Sequence, residues 1–141
     1  MDIALCSLSM KEFDDPSSEF INIKYAGANN PLWIIKKDEN KVLEIKGDKQ
    51  PIGRYAKKTS FTTHTIKLQK GDAIYLFSDG YPDQFGGDKG KKFKSINFKK
   101  LLLGIKDLTM QEQKIALDEA FEKWKGDLEQ VDDVCVIGVR L

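Results

Sequence analysis

The sequence has little of the residues from which zinc sites and thiol redox sites are built. It contains one histidine, His64, and two cysteines, Cys6 and Cys135, which form no Cys-x-x-Cys pair. Zinc and redox centres draw on clusters of these residues, so the sequence argues against both classes of site. We interpret the two cysteines as small buried core residues and His64 as a half-exposed strand residue rather than a catalytic acid.

The sequence also lacks a long apolar run and an excess of one charge. No stretch of about 18 apolar residues and no N-terminal signal pattern occurs, which predicts a cytoplasmic protein without direct membrane contact. The 23 Lys and Arg residues balance 22 Asp and Glu residues at a formal net charge of +1, which gives no argument for a nucleic-acid partner. A lysine-rich stretch at residues 89–100 is interpreted as a solvated surface, with docking of an acidic or phosphorylated partner as the alternative.

What is present is the composition of one soluble globular domain. The chain has 141 residues, of which 40% are hydrophobic and 32% charged, and this predicts a single domain over residues 1–141. Turn residues between short apolar runs favour sequential hairpins and an antiparallel meander. The predicted strands are Ile3–Leu8, Phe20–Tyr25, Leu32–Ile35, Val42–Ile45, Phe61–Leu68, Ala73–Phe77 and Val134–Leu141.

Helical periods follow in the last third of the chain. Ser95 is predicted to cap a short helix. Thr109 and Glu112 have the spacing of a capping box at the start of a second helix, whose apolar stripe includes Phe121 and Trp124. We expect this stripe to pack on a sheet, with both aromatic side chains in the core. The predicted fold class is therefore α+β.

Two acidic clusters lie beside apolar strand patterns. Ser78-Asp79-Gly80, with Asp83 shortly after it, follows one predicted strand, and Asp132-Asp133 precedes the last strand. If the two strands are antiparallel neighbours, the carboxylates meet at one edge, where Mg²⁺ or Mn²⁺ would find the oxygen ligands they prefer. Gly80 would allow a sharp turn beside the ion. The alternative is an ordinary Asp-Gly turn and a solvated strand end.

Four blocks of the sequence carry a resemblance to a known family. They are Tyr25–Leu32, Pro51–Gly53, Lys70–Gly80 and Asp132–Ile137, and the most specific parts are Ser78-Asp79-Gly80 and the paired aspartates. In order, they resemble the C-terminal half of the SpoIIE-like branch of the PPM-type metal-dependent serine/threonine phosphatases. The resemblance implies an antiparallel β-sandwich flanked by helices, in α-β-β-α layers, of which this chain would be an N-terminally truncated part.

The resemblance also implies roles for individual residues. Asp79 and Asp132 match metal-binding aspartates of a two-metal site that takes Mn²⁺ or Mg²⁺. Asp83 matches an acidic position that can help to hold a further metal. Asp133, the neighbour of Asp132, is a further candidate ligand. Gly80 belongs to the metal-site loop.

Some expected parts of the family's site differ or are absent. Asn29, Asn30 and Gly53 match loops at the rim of the active site and are substrate-rim candidates, but Ala28–Pro31 replaces the family's usual Ala-Gly-His-Asn-Pro. A further metal-bridging aspartate and an Asp-x-x-Gly-His-Gly motif lie upstream in the family, and no Gly-His-Gly occurs in this sequence. The chain alone is therefore expected to be inactive or weakly active.

The activity that the resemblance implies is metal-dependent removal of phosphate from phosphoserine or phosphothreonine, with a metal-activated water instead of a protein nucleophile. The implied substrate is a phosphorylated bacterial regulatory protein in partner-switching signalling, such as an anti-sigma-factor antagonist. The alternative is a noncatalytic regulatory module that uses the same fold to bind proteins. Uncovered sheet edges in a truncated domain would also favour a homodimer.

Overall fold

The computed structural model describes residues 1–53 and 59–141. They fall into two compact units, one of residues 1–76 and 138–141 and the other of residues 77–137. In the described ranges, no helix is both long enough and apolar enough to cross a membrane.

Four of the seven predicted strands have the predicted bounds, namely those that start at Ile3, Leu32, Val42 and Ala73. The other three differ: the strand from Phe20 continues to Ala28, the strand predicted at Phe61–Leu68 covers His64–Gln69, and the final strand covers Val136–Arg140. In chain order the elements are β1 (Ile3–Leu8), α1 (Met10–Asp14), β2 (Phe20–Ala28), β3 (Leu32–Ile35), β4 (Val42–Ile45), β5 (His64–Gln69), β6 (Ala73–Phe77), α2 (Gly80–Asp83), β7 (Phe85–Gly86), β8 (Lys91–Lys92), α3 (Ser95–Gly104), α4 (Met110–Lys125) and β9 (Val136–Arg140).

The first unit is built on two sheets with the strand orders β1-β2-β5 and β4-β3-β6-β9. The predicted hairpin of β3 and β4 is present, but the predicted meander is wrong, because β2 and β3 lie in different sheets, as do β5 and β6. Gly71, with φ 99°, turns the chain from one sheet into the other. An alternating pattern fixes which face of a strand is buried and leaves its pairing partner open.

The core of the first unit draws on both sheets, which makes it a β-sandwich. Ile21, Ile23 and Tyr25 alternate with exposed residues along β2, as expected for a strand with one buried face. They share one apolar cluster with Leu32 and Ile34 of β3 in the other sheet. Each side chain buried in this way stabilises the fold by about 1.5–3 kcal/mol. Together with the helices, the sandwich confirms the predicted α+β class.

A buried carboxylate fastens strand ends in this unit. Asp72 is 2% exposed, and its Oδ1 and Oδ2 accept hydrogen bonds from the backbone N–H groups of Lys37 (3.0 Å) and Gln69 (2.9 Å). Its carbonyl oxygen accepts another from the N–H of Leu141 at 2.9 Å. Asp72 therefore has a structural role, since two backbone N–H groups satisfy its buried side-chain oxygens and a third binds its carbonyl oxygen.

An aromatic cluster forms the core of the second unit. The Tyr81 ring stacks on Phe98 with centroids 4.4 Å apart and lies 5.1 Å from the Phe121 ring. Phe93 extends the cluster, since it lies edge-on to both Tyr81 and Trp124. Phe121 is buried, as predicted, and Trp124 is half-buried. The apolar stripe of α4 thus packs on aromatic rings of its own unit.

The two helix caps have different outcomes. Thr109 and Glu112 form both arms of the predicted capping box at the start of α4. The predicted cap at Ser95 is wrong: Ser95 is the first residue of α3, and the N-cap is Lys94, with φ 73° and no side-chain bond to the helix. The N–H of Lys94 donates to the carbonyl oxygen of Pro82 at 2.7 Å. A tertiary bond therefore fixes the start of α3 in place of a side-chain cap.

The single histidine and one of the cysteines lie close to where the sequence placed them. His64 starts β5, is half-buried and stacks on Tyr25 at 5.9 Å. Cys6 is half-buried in β1, and burial raises the pKa of its thiol. The prediction for Cys135 is wrong, because this residue is exposed. β9 begins only at Val136, so Cys135 lies in the preceding loop and has no buried strand face to occupy.

Candidate metal centre

The first acidic cluster lies where β6 gives way to the short helix α2. Asp79 is the N-cap of this helix, and its exposed side chain makes no capping hydrogen bond to it. The carbonyl oxygen of Asp79 accepts a bond from the N–H of Asp83 at 2.9 Å. Asp79 and Asp83 are thus one helical turn apart, the spacing at which side chains share a face.

At Gly80 the two acidic segments lie close together. A Cβ atom at this position would overlap the carbonyl group of Asp133 and lie 3.2 Å from Cγ2 of Val134. The buried residue Gly80 therefore lets the backbone after Asp79 lie directly against the backbone of Asp133. The glycine is needed here for space rather than for a sharp turn, and its predicted place beside Asp79 is retained.

The Ser78 hydroxyl joins the same two segments. It donates to the carbonyl oxygen of Asp133 at 2.7 Å and accepts from the N–H of Cys135 at 2.9 Å. The N–H of Ser78 also donates to the carbonyl oxygen of Cys135 at 3.0 Å. Three hydrogen bonds thus fix the residue before Asp79 to the residues that follow Asp132.

The second acidic cluster is exposed and locally ordered. Oδ1 of Asp132 accepts a hydrogen bond from the N–H of Asp133 at 2.7 Å, and its carbonyl oxygen accepts one from the side-chain amide of Gln130 at 2.8 Å. The side chains of both aspartates face solvent. Strands β6 and β9 are neighbours in their sheet, as the sequence hypothesis required.

Asp83 has a cationic partner. Its Oδ2 is 2.8 Å from the ammonium group of Lys92, and the two side chains are 47% and 45% exposed. An ion pair with this exposure contributes at most about 1 kcal/mol, so it can be displaced. A cation at Asp83 would have to compete with Lys92.

The rim candidates belong to the first unit. Asn29 has φ 60°, and its side-chain amide donates to the carboxylate of Asp2 at 2.9 Å. The carbonyl oxygen of Asn30 accepts from the Tyr25 hydroxyl. Gly53 has φ 125°, and no atom of the described residues would lie within 4 Å of a Cβ added there. Nothing in the structure tests their place at an active-site rim, which stays a prediction.

The donor set of the second unit suits hard divalent cations. Asp79, Asp83, Asp132 and Asp133 offer carboxylate oxygens, the ligands that Mg²⁺ and Mn²⁺ prefer. Within residues 1–53 and 59–141, however, no group of three or more His, Cys, Asp or Glu side chains is arranged to hold a metal ion. The carboxylates therefore fit part of a metal site, and their role as ligands stays a prediction.

Sequence reasoning missed the residue that organises this region most. Gln84 is fully buried, and its side-chain amide donates to the carbonyl oxygens of Phe85 (3.0 Å) and Glu129 (2.9 Å). Its Oε1 accepts from the N–H of Val131 at 3.3 Å. A glutamine at the end of a polar motif is normally exposed, so no signal in the sequence distinguishes it.

Comparison with solved structures places this fold among phosphatase domains. The chain is 26% identical to the SiaA-PP2C domain of Pseudomonas aeruginosa, with a TM-score of 0.77 over 86% of this chain and 50% of that one. It is 17% identical to the manganese-presoaked phosphatase domain of SpoIIE from Bacillus subtilis, with a TM-score of 0.67 over 99% of this chain and 56% of that one. At 17% identity, the similarity to the SpoIIE domain is evidence for a shared fold and for nothing more specific. The chain thus spans about half the length of these domains.

A family comparison agrees with the structural one. No curated protein matches the chain significantly. The family described as stage II sporulation protein E (SpoIIE) matches residues 9–141, which include both acidic clusters. The chain belongs to the SpoIIE family of PPM-type phosphatase domains.

Proposed function

We propose that the chain is part of a metal-dependent phosphatase that removes phosphate from phosphoserine or phosphothreonine of a protein. The observation that carries the proposal is the attachment of the Asp79 turn to the Asp132-Asp133 segment through Ser78 and Gly80. These contacts bring carboxylates from two distant parts of the sequence into one unit. Family membership supports the same chemistry.

The residues of this chain would act by binding and orientation. Asp79 and Asp132 would hold Mn²⁺ or Mg²⁺, with Asp133 beside them and Asp83 available after release from Lys92. When bound, two such ions lower the pKa of a water molecule and screen phosphoryl oxygens. Because the described residues form no complete ligand group, further ligands would come from outside them, and the chain alone would be weakly active.

The proposal can be tested with a small aryl phosphate in the presence of Mn²⁺. We expect a form extended upstream in its gene to hydrolyse the compound and the 141-residue chain to be much slower. Asp79→Asn and Asp132→Asn should each abolish hydrolysis by the longer form, because each removes a charged ligand. Asp127→Asn, at an exposed position outside both clusters, is the matched control. An inactive longer form that still folds would favour a noncatalytic protein-binding module.

The substrate class needs its own experiment. Phosphatases of this type need no protein nucleophile, so discrimination between substrates depends on the surface around the ions. We expect the longer form to release phosphate faster from phosphoserine and phosphothreonine peptides than from a phosphotyrosine peptide. A phosphorylated regulatory protein of the anti-sigma-factor-antagonist type is the proposed natural substrate, and equal rates on all three peptides would contradict this specificity.

Self-association is a further proposal. β1 lies at the end of its sheet in the strand order and carries Leu5, which is 65% exposed. Edge strands with exposed apolar side chains tend to pair with another chain. We expect a concentration-dependent dimer in sedimentation velocity that Leu5→Lys weakens, and a strictly monomeric profile would contradict it.

A further inference from the structure

The strongest unassigned feature of the molecule is a set of hydrogen bonds on both sides of Asp132-Asp133. On one side, Ser78 binds the backbone of Asp133 and Cys135. On the other side, the side chain of Gln84 binds the backbone of Glu129 and Val131. Both side chains come from one short segment, residues 78–84, which also carries Asp79 and Asp83.

The side chains of Ser78 and Gln84 differ in burial, and burial determines how much free energy is lost when their hydrogen bonds are not made. The Gln84 side chain is 0% exposed, so every unmade hydrogen bond of its amide would cost the full desolvation of that group. The hydrogen bonds to the Gln84 amide therefore favour the position in which the loop at residues 129–131 lies. Ser78 is only partly buried, but its hydroxyl both donates and accepts between the two segments.

The backbone of Gln84 adds a third connection. Its carbonyl oxygen accepts from the N–H of Phe93 at 2.9 Å and from the indole N–H of Trp124 at 3.1 Å. Gln84 is thus fixed to the aromatic cluster of α4 while its side chain holds the loop. Because Gln84 is held by these bonds independently of the loop, its side chain can determine where the loop lies.

We propose that Ser78 and Gln84 are positioning residues that hold Asp132-Asp133 at a set distance from Asp79. This inference rests on the proposed function, because the distance matters only if the carboxylates share a cation. Outer hydrogen-bond partners of metal ligands typically change metal affinity by 10–100-fold when they are removed. Neither residue would touch the metal or the substrate.

The test compares Ser78→Ala and Gln84→Met with a matched control. Gln113 is also a buried glutamine, 2% exposed, whose amide donates to the carbonyl oxygens of Lys106 and Leu108 in the same unit. Gln113→Met therefore removes the same kind of group at a distance in sequence from both acidic clusters. Ser78→Thr keeps the hydroxyl and serves as the rescue variant.

The first readout is independent of metal. The N–H of Asp133 is bonded to the carboxylate of Asp132, a contact that the substitutions at Ser78 and Gln84 do not remove. In the metal-free chain we expect hydrogen exchange at this amide to speed up in Ser78→Ala and Gln84→Met and to stay unchanged in Gln113→Met and Ser78→Thr. Unchanged exchange in both test variants would overturn the positioning role.

The second readout is the Mn²⁺ affinity of the form extended upstream, which carries the further ligands, and it is followed by the loss of the free-ion electron paramagnetic resonance signal. We expect binding to weaken about tenfold in Ser78→Ala and Gln84→Met, with Ser78→Thr close to the wild type. An equal loss in Gln113→Met would mean that lowered stability explains the effect and would overturn the inference. If the wild type binds no Mn²⁺ while the exchange result holds, the positioning of the loop stands and the proposed metal function of this chain fails.

Discussion

The two compact units use different kinds of interior. In the first, strands of two sheets share an apolar cluster that consists of aliphatic side chains and Tyr25, and the buried side chains of Asp72 and Gln50 bind backbone groups. In the second, aromatic rings around Tyr81 come from helices and from the segment after β6, and the fully buried Gln84 and Gln113 bind backbone carbonyl groups. The apolar cluster of the first unit follows the alternation of its strands, whereas the aromatic cluster of the second unit joins residues that share no single periodic pattern.

This difference matters because the acidic clusters belong to the second unit. An aliphatic core tolerates exchange of one apolar residue for another of similar volume. A fully buried amide tolerates no such exchange without leaving partners unsatisfied. In the unit that carries the candidate metal ligands, the fully buried Gln84 is such an amide, and it binds the segment that precedes Asp132.

Removal of a core ring should have the largest effect. Phe98 is fully buried, stacks on Tyr81 and lies edge-on to Phe77 at 5.1 Å. We expect Phe98→Ala to lower the free energy of unfolding by about 4 kcal/mol, compared with about 3 kcal/mol for Ile23→Ala in the aliphatic core. Urea denaturation measures both. A cost of Ile23→Ala well above that of Phe98→Ala would contradict the importance given to the aromatic cluster.

The close approach at Gly80 should produce the next largest effect. Gly80→Ala places a methyl group against the carbonyl group of Asp133, and we expect a loss of about 2 kcal/mol because backbone must move. Gly104 ends α3 with open space around it, so Gly104→Ala is the control and should raise stability by about 0.5 kcal/mol. Thermal unfolding checks the pair, and a neutral Gly80→Ala would show that the two segments are not in contact.

Alkaline pH should affect both units through one tyrosine each. Burial, together with the charge of Asp48, raises the pKa of Tyr25 to about 12, and burial with the charge of Asp118 raises the pKa of Tyr81 above its usual range. Both hydroxyls stay protonated in the folded chain while an unfolded tyrosine ionises near pH 10. The stability they provide is therefore complete below about pH 10 and is lost as the pH rises further.

Substitution by phenylalanine should separate the two tyrosines. Tyr81→Phe loses the hydrogen bond to the carbonyl oxygen of Leu117 (2.7 Å), which costs about 1 kcal/mol at neutral pH, and flattens the alkaline decline. Tyr25→Phe should flatten it as well. Urea midpoints between pH 8 and pH 11 measure this, with the range chosen to bracket the tyrosine pKa of about 10. An alkaline decline as steep as that of the wild type in both variants would contradict the assignment.

The helix caps should give the smallest effect. The Thr109 hydroxyl accepts from the N–H of Glu112 at 3.2 Å in a complete capping box, and Thr109→Ala should cost about 1 kcal/mol. Ser9 caps the five-residue helix α1 through a longer bond of 3.4 Å. We therefore expect Ser9→Ala to cost less in thermal unfolding, and the reverse order would contradict this reading of the caps.

The sequence predicted single elements better than the contacts between them, for a physical reason. Alternation along β2 and the apolar run of β3 identify strands with a buried face, and the capping box identifies α4. The same patterns do not show which strands pair, so the meander was wrong. They also cannot show that Ser95 lacks a capping role, that Cys135 is exposed or that Gln84 is buried, because these depend on contacts between residues far apart in sequence.

The candidate ligands were predicted from their motif and from their placement beside strands. The hydrogen bonds that hold the segments of these ligands in place were not predicted. Asp79 and Asp132 stand beside recognisable strands, and the structure makes those strands neighbours. The hydroxyl of Ser78 and the amide of Gln84 act through backbone groups of other segments, which carry no sequence signature. Only a three-dimensional arrangement reveals such contacts.

The central claim is that the second unit presents its two acidic clusters as one cation-binding edge. The most direct measurement is paramagnetic broadening of backbone amide signals in the NMR spectrum as Mn²⁺ is added to the chain. We predict that the amides of Asp79–Asp83 and Asp132–Cys135 broaden first and together, and that Asp79→Asn reduces the broadening of both groups. Broadening that starts at other carboxylates, such as Asp14 and Asp15 in the first unit, or that affects only one of the two clusters, would contradict the claim.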